Sequence, residues 1–188
     1  MGAENVNPRR LIGASCRRLD FSVTPAAVRI ANIDPMGEIA TALLRDAAAE
    51  VRPLYTQPAA KPISALTNDP PRARDLYVAA FVDGSPVGSG ALREFDPTTA
   101  EVRRMYVRLE HRRKHVGQAI LEHLIASARK LGYERLILET GNKQAPAMAF
   151  YENYGFRRIE AFGEHVTDET SLCYEFHIDN AGDRPATV

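Results

Sequence analysis

Between residues 101 and 131 the spacing of hydrophobic residues changes from that of a strand to that of a helix. Residues 101–107 carry β-branched and aromatic side chains at Val102, Tyr106 and Val107, which favours a strand. The apolar residues that follow recur at the i, i+3, i+4, i+8 spacing of one helical face. They are Val116, Ala119, Ile120, Leu124, Ala128 and Leu131. This segment therefore predicts a strand and a helix that are joined by a short turn.

Upstream, the pattern predicts one strand and one helix before a long loop. Residues 27–33 alternate apolar and polar side chains well enough for a strand. Asp34 is then a typical N-cap and Pro35 a typical first helical residue, and the apolar periodicity continues to Val51. Prolines at 53, 58, 62, 70 and 71 exclude long regular structure from residue 53 to residue 75.

The next elements predict a β-meander. Residues 76–82 and 86–92 are strand-like, and Asp83 and Gly84 between them are typical of a hairpin turn. A short connection then leads to the strand at residues 101–107. Connections this short place the three strands side by side and antiparallel.

After the central helix the pattern continues with a strand, a short helix and two final strands. Residues 135–140 follow the helix as a strand, so strand, helix and strand form a parallel pair with a right-handed crossover. Residues 144–154 predict a short helix, and residues 156–159 and 172–178 predict strands. The fold class expected is α/β, with a mixed sheet in which an antiparallel meander precedes a parallel β-α-β unit and helices flank the sheet.

Length and charge limit the classes of function. A chain of 188 residues suits one domain, which we place at residues 26–180, with a disordered leader at residues 1–25 and a flexible tail at residues 181–188. Lys plus Arg and Asp plus Glu are equal at 24 each, so no overall field would gather nucleic acid or anionic lipid. No apolar run reaches membrane-spanning length. We therefore expect a cytoplasmic protein, with a mitochondrial presequence as the alternative for the Arg-rich leader.

The turn before the central helix carries the most specific chemistry in the chain. Free backbone N–H groups at a helix N-terminus, beside fixed cations, bind an anion such as a phosphate or pyrophosphate. The turn has neither the spacing of a Walker loop nor that of a Rossmann turn. Its residues are Arg112, Arg113, Lys114, His115, Val116, Gly117 and Gln118.

Two motifs resemble those of the GNAT family of N-acetyltransferases, especially its small bacterial members. Arg112 and Gly117 match the ends of that family's Q/R-x-x-G-x-G/A loop, although His115 stands where the family usually has its first glycine. Residues 147–156, AMAFYENYGF, are similar to the family's A-x-x-x-Y-E-x-x-G-F signature. The resemblance covers residues 27–178 in element order.

The resemblance implies acetyl-CoA as acetyl donor, with no metal, and a primary amine of a small molecule or peptide as acceptor. It implies that the basic turn holds the cofactor pyrophosphate and that Tyr151 protonates the departing thiolate. Further cofactor contacts are expected from the strand before the turn, through the backbone of Met105, Tyr106 and Val107. The side chain of Gln144, which follows the parallel pair, is expected to contact the cofactor as well.

Three glutamates are candidates for the general base that deprotonates the amine. Glu101 leads, because its spacing of eleven positions before Arg112 is similar to that of a catalytic glutamate in one branch of the family. Glu94 and Glu139 are alternatives, and an ordinary solvated role for Glu101 stays open.

Other readings remain beside this one. An acyl-CoA-binding domain with little or no turnover is the alternative function, motivated by His115. Residues 160–169 contain four acidic side chains, which indicate either a binding site for a cationic acceptor or an ordinary solvated loop. They are Glu160, Glu164, Asp168 and Glu169. The sequence does not decide whether the protein forms the homodimer that is common in the resembled family.

Overall fold

The computed structural model describes residues 27–55 and 66–178. The leader and the tail expected from the sequence lie outside these residues. The strands are β1 (Arg29–Asn32), β2 (Leu76–Val82), β3 (Ser85–Glu94), β4 (Thr99–Val107), β5 (Arg135–Gly141), β6 (Arg157–Ile159) and β7 (Ser171–His177). The helices are α1 (Glu38–Val51), α2 (Val116–Lys130) and α3 (Ala145–Tyr154).

All seven strands form one mixed sheet in the order β1-β2-β3-β4-β5-β7-β6. The pair β4–β5 is parallel and the other neighbouring pairs are antiparallel. The predicted meander, the parallel β-α-β unit and the α/β fold class are therefore confirmed. The sequence pattern did not predict that β7 lies between β5 and β6.

Both faces of the sheet are covered, which explains why β2 is apolar at nearly every position. Ala40 of α1 packs with Tyr77 and Ala91 on one face. On the other face α2 and the sheet share one large buried cluster. The largest side chains of this cluster include Leu92, Ile120, Leu124, Leu136, Leu138 and Tyr174.

Helix α1 begins later than the sequence predicted. Its N-cap is Gly37, whereas the predicted N-cap was Asp34. The side chain of Asp34 instead accepts a hydrogen bond from the N–H of Met36 at 2.9 Å. An aspartate that bonds the backbone two residues ahead forms a local turn, and that turn competes with the helix start. The predicted boundary was therefore wrong.

Within the described residues, no helix is both long enough and apolar enough to span a membrane. The same residues contain no group of three or more His, Cys, Asp or Glu side chains able to hold a metal ion.

Candidate active site

Strands β4 and β5 separate at their carboxyl ends and leave a cleft. Their parallel pairing runs from Thr99 opposite Arg135 to Val102 opposite Leu138. Beyond this point β5 continues alongside β7, while β4 continues to Val107 with only β3 beside it. Residues 103–107 therefore present an open strand edge, whose N–H and C=O groups can pair with an extended ligand.

A β-bulge turns β4 toward this cleft. The β3–β4 register shifts between Ser89 and Ala91, so Arg104 and Met105 both lie opposite Gly90. Arg104 has a φ of 57°, which is uncommon for a residue with a side chain. The hydroxyl of Ser89 donates to the Arg104 carbonyl at 2.9 Å and holds the bulge. Bulges of this kind are frequent beside active sites, where they redirect side chains.

The basic turn before α2 presents a row of backbone donors. The N–H groups of residues 113–118 meet no acceptor in the part of the chain that the structure describes. Arg113 and His115 have φ values of 57° and 61°, and residues in this left-handed region curve the backbone so that its N–H groups converge. Together with the α2 dipole, this geometry makes a concavity that can bind an anion. Binding of a phosphate there stays a prediction.

The side chains of the turn divide into two groups. Arg112 points at α1, where both of its terminal nitrogens contact the Glu50 carboxylate at 2.6 and 2.7 Å. Its Nε donates to the carbonyl of Val107 at 2.8 Å. Arg113 and Lys114 are exposed and form no ion pair with any described residue. The charges closest to the free N–H row that remain available to a ligand are therefore those of Arg113 and Lys114.

His115 fills a backbone position that favours glycine. It is the N-cap of α2 and lies in the left-handed region, which explains why the resembled family usually has glycine there. Its ring contacts the Gln118 side chain through Nδ1 at 3.1 Å. Histidine is among the residues that tolerate this conformation, so the turn keeps its shape.

Replacing His115 by Gly should raise the free energy of unfolding by up to about 1 kcal/mol, because glycine carries no steric penalty in this conformation. The dissociation constant of acetyl-CoA should change by less than about threefold, since the backbone donors stay in place. Chemical denaturation and calorimetry measure the two quantities. Arg113→Gly is the matched control, because it relieves the same strain but removes a cation. A large rise in turnover of His115→Gly would show instead that the natural loop is impaired.

The chain after α1 is tied to the end of β5. The Tyr55 hydroxyl accepts a hydrogen bond from the N–H of Lys143 at 2.9 Å. A Cβ atom added to Gly141 would lie 2.1 Å from that hydroxyl and 3.1 Å from Nε2 of Gln144. Gln144 is the N-cap of α3 and so lies at the carboxyl end of the parallel pair, beside the cleft.

Replacing Gly141 by Ala should lower the free energy of unfolding by about 1–3 kcal/mol, because Tyr55 must shift to make room for the methyl group and then loses its bond to Lys143. Gly117→Ala is the matched control, since its added Cβ would meet its nearest neighbours at 3.7 and 3.8 Å, which is ordinary contact. Thermal unfolding of both variants measures the difference. Equal midpoints would mean that Tyr55 moves aside without loss.

Tyr151 is buried, with 6% of its surface exposed. Its ring packs against Phe150 and Phe156 at centroid distances of 5.3 and 5.6 Å. Its hydroxyl has no hydrogen-bond partner among the described residues. Burial, and to a smaller extent the charge of Glu139, raises the pKa of this hydroxyl far above its ordinary value. Tyr151 therefore stays protonated at neutral pH and can act only as a proton donor.

Glu101 faces the α1 side of the sheet and its side chain is only 12% exposed. Burial raises the pKa of Glu101, while the charges of Arg103 and His165 oppose this shift. The Arg103 and His165 nitrogens each lie 3.7 Å from a carboxylate oxygen of Glu101. The raised pKa moves this carboxylate toward the range in which a general base is effective.

The two alternative bases are engaged in other contacts. Glu94 pairs with Arg74 at 3.2 Å. Glu139 accepts a hydrogen bond from the Ser171 hydroxyl at 2.8 Å. Glu101 also has partners, but both lie at 3.7 Å, which is longer than the contacts of Glu94 and Glu139. Glu101 is therefore the least tightly held of the three carboxylates and stays the leading candidate.

Sequence reasoning missed His165. It lies in a short 3₁₀ turn between β6 and β7, and its ring packs edge-on against Phe162. No periodicity or motif marked it, because its contact with Glu101 joins segments far apart in the chain. Two acidic residues of the same loop have partners: Glu164 contacts Arg103 of β4 at 3.4 Å, and Asp168 accepts hydrogen bonds from Thr170.

Comparison with known proteins agrees with this geometry. The sequence model of the acetyltransferase (GNAT) family matches residues 39–156. Over 98 residues the chain is 41% identical to the uncharacterized N-acetyltransferase YsnE of Bacillus subtilis (strain 168), covering 51% of this chain and 65% of that protein. Over 100 residues it is 35% identical to the IAA acetyltransferase of Azospirillum brasilense, covering 53% and 65%. The chain thus spans less than two thirds of the length of these two relatives.

Solved structures share the fold. A protein assigned as an acyl-CoA N-acyltransferase from Klebsiella pneumoniae superposes with a TM-score of 0.69 and 28% identity, over 80% of this chain and 97% of that one. The PaiA N-acetyltransferase of Thermoplasma acidophilum, solved in complex with coenzyme A, superposes with a TM-score of 0.61 and 17% identity, over 80% and 99%. Since the family match extends over more than half of the sequence and includes the splayed strands, the basic turn and α3, the chain belongs to the acetyltransferase (GNAT) family.

Proposed function

We propose that this protein is an acetyl-CoA-dependent N-acetyltransferase, which transfers an acetyl group to the primary amine of a small molecule or peptide within a ternary complex. One observation supports this most strongly: the free N–H row of residues 113–118 lies directly after the open edge of β4. In acetyl-CoA a pyrophosphate is followed by an extended arm that contains two amides. The N–H row suits the pyrophosphate, and the open strand edge suits the amides.

The residues present fit acetyl-CoA. The N–H groups of residues 113–118 and the charges of Arg113 and Lys114 would hold the pyrophosphate. The backbone of Met105, Tyr106 and Val107 would pair with the amides of the cofactor, and Gln144 would contact it at the far side of the cleft. Acetyl-CoA supplies an activated acetyl thioester, so no metal is needed for the chemistry.

Two side chains supply the proton transfers. An acceptor amine with a pKa of about 10 is mostly protonated at neutral pH, so it must lose a proton before it attacks. Glu101 accepts this proton, directly or through a water molecule. Tyr151 donates a proton to the departing thiolate, which its hydroxyl is able to do because it stays protonated. The rest of the rate enhancement comes from holding the two reactants together.

The alternative function, an acyl-CoA-binding domain without turnover, was motivated by His115. The backbone of His115 adopts the conformation that glycine would have, so a histidine in place of the family's glycine leaves the turn intact. This observation favours the enzyme.

A thiol-release assay tests the proposal. Purified protein is mixed with acetyl-CoA and a panel of amines, and free CoA is measured against a reaction without amine. We expect amine-dependent release for at least one acceptor class, and mass spectrometry should find the N-acetylated product. Binding of acetyl-CoA with no release on any amine would support the binding domain instead.

A further inference from the structure

A cavity of about 310 Å³ lies between α1 and β4 on the side of the sheet that carries Glu101. This volume is at the lower end of the range for small-molecule pockets. The apolar part of its wall includes Leu43, Leu44, Ala47, Ala48, Val51 and Leu66. Such a wall suits an apolar group of a bound small molecule.

Arg104 is the single charged side chain among the described residues that line this cavity. It is half-buried and belongs to the bulge of β4, where its φ of 57° departs from the conformation that arginine prefers. Backbone strain of this kind persists where the surroundings fix it, and it is concentrated at functional sites. The bulge therefore directs a cation into an apolar cavity.

The orientation of Arg104 is fixed by a neutral partner. Its Nε donates to Oδ1 of Asn68 at 3.1 Å. Asn68 is itself buried and is held by its Nδ2, which donates to the Pro35 carbonyl at 2.9 Å. The two terminal nitrogens of Arg104 meet no acceptor among the described residues. They form the fork that binds a carboxylate through two parallel hydrogen bonds.

The charge of Arg104 has no counter-ion within the described residues. Asp69 and Glu101 act on it through space but form no ion pair with it. Burial, followed by the charge of Arg103, lowers the pKa of Arg104, so the site disfavours the cation unless an anion joins it. Buried charges are normally paired, which points to an anion that arrives with a ligand.

We propose that the amine acceptor is a small amphipathic molecule that carries a carboxylate, bound by Arg104, and an apolar group, bound in the cavity beneath α1. Apolar α-amino acids are the simplest members of this class. The inference rests on the proposed acetyltransferase function. Glu101 lies three residues before Arg104 on β4, and the bulge between them brings the Arg104 side chain to the side of the sheet that carries Glu101 and its partner Arg103. An acceptor held by its carboxylate therefore has its amine on the side of the base.

Matched acceptor pairs test the carboxylate. L-leucine, L-methionine and L-phenylalanine are titrated calorimetrically into protein saturated with CoA, and each is compared with the amine that lacks its carboxylate. The same pairs are then compared as acceptors by kcat/KM. We expect the acids to be favoured by about 10- to 100-fold, the effect of two charge-assisted hydrogen bonds. Equal or better binding and turnover of the decarboxylated amines would overturn the inference.

Three variants test whether the preference for the acids depends on Arg104 itself or only on the positive charge of this face of the sheet. Arg104→Gln should abolish the preference for the acids while the dissociation constant of CoA is unchanged. Asn68→Asp should also abolish it, because it supplies a counter-ion and leaves the arginine in place. Arg93→Gln is the control, since Arg93 lies on the same face but pairs with Asp69 and does not line the cavity. A preference that survives in both Arg104→Gln and Asn68→Asp would contradict the assignment.

The titrations distinguish this inference from the proposed function. Wild-type protein that binds CoA but neither acids nor amines would overturn the acceptor assignment and leave the acetyltransferase proposal standing. Protein that binds no CoA would overturn both.

Discussion

Replacing Tyr151 by Phe should lower kcat by about 100-fold or more, the usual contribution of a general acid, while the affinity for acetyl-CoA is kept. The substitution removes one hydroxyl and leaves the ring contacts with Phe150 and Phe156 in place. The hydroxyl has no partner among the described residues, so its loss leaves no buried group unsatisfied. Steady-state kinetics and calorimetric titration of acetyl-CoA measure the two effects.

Tyr154→Phe is the matched control, because Tyr154 lies on the same helix and packs against Phe176 at 6.1 Å. It should keep the wild-type kcat. An unchanged kcat in Tyr151→Phe would remove Tyr151 as the acid. A loss of acetyl-CoA affinity equal to the loss of kcat would show a binding role instead.

Replacing Glu101 by Gln should lower kcat by about 100-fold at neutral pH and change the pH profile. The base is the ionised carboxylate, which is populated above its pKa. Because burial raises the pKa of Glu101, the kcat of the wild type should fall on the acid side through a pKa above that of an ordinary glutamate. Glu101→Gln should lose this acid limb, since glutamine does not titrate.

Glu94→Gln and Glu139→Gln are the controls, and each should keep the acid limb. The comparison uses kcat, which reports groups in the complex with both substrates bound. Persistence of the limb in Glu101→Gln would exclude Glu101 as its source. Its disappearance in one of the two controls would assign the base to that residue.

Much of the fold could be predicted because local patterns specify it strongly. Strand β2 has the predicted bounds, since its apolar run ends at a turn in which Asp83 and Gly84 both have positive φ values. Helix α2 begins where the apolar periodicity begins. The insertion of β7 beside β5 could not be predicted, because it depends on long-range pairing that no local pattern encodes.

Only the parts of the candidate site that lie within a sequence motif could be predicted. The N–H row before α2 lies where the motif placed it, because a helix N-terminus always leaves such donors free. The partners of side chains were not predictable. The contact of Arg112 with Glu50, that of His165 with Glu101 and the cavity at Arg104 all join residues far apart in the chain. A side chain's direction depends on backbone details such as the bulge, which the sequence does not display.

The central claim is that the turn before α2 binds the pyrophosphate of a CoA molecule. Calorimetric titration of CoA, dephospho-CoA, 4′-phosphopantetheine and pantetheine tests it most directly, because the last two differ only in the phosphate that forms the inner half of the pyrophosphate. We expect dephospho-CoA to bind within about tenfold of CoA, and pantetheine to bind about 100-fold more weakly than 4′-phosphopantetheine or worse, from the loss of several charge-assisted hydrogen bonds. Equal affinities for pantetheine and 4′-phosphopantetheine, or no binding of CoA, would contradict the claim.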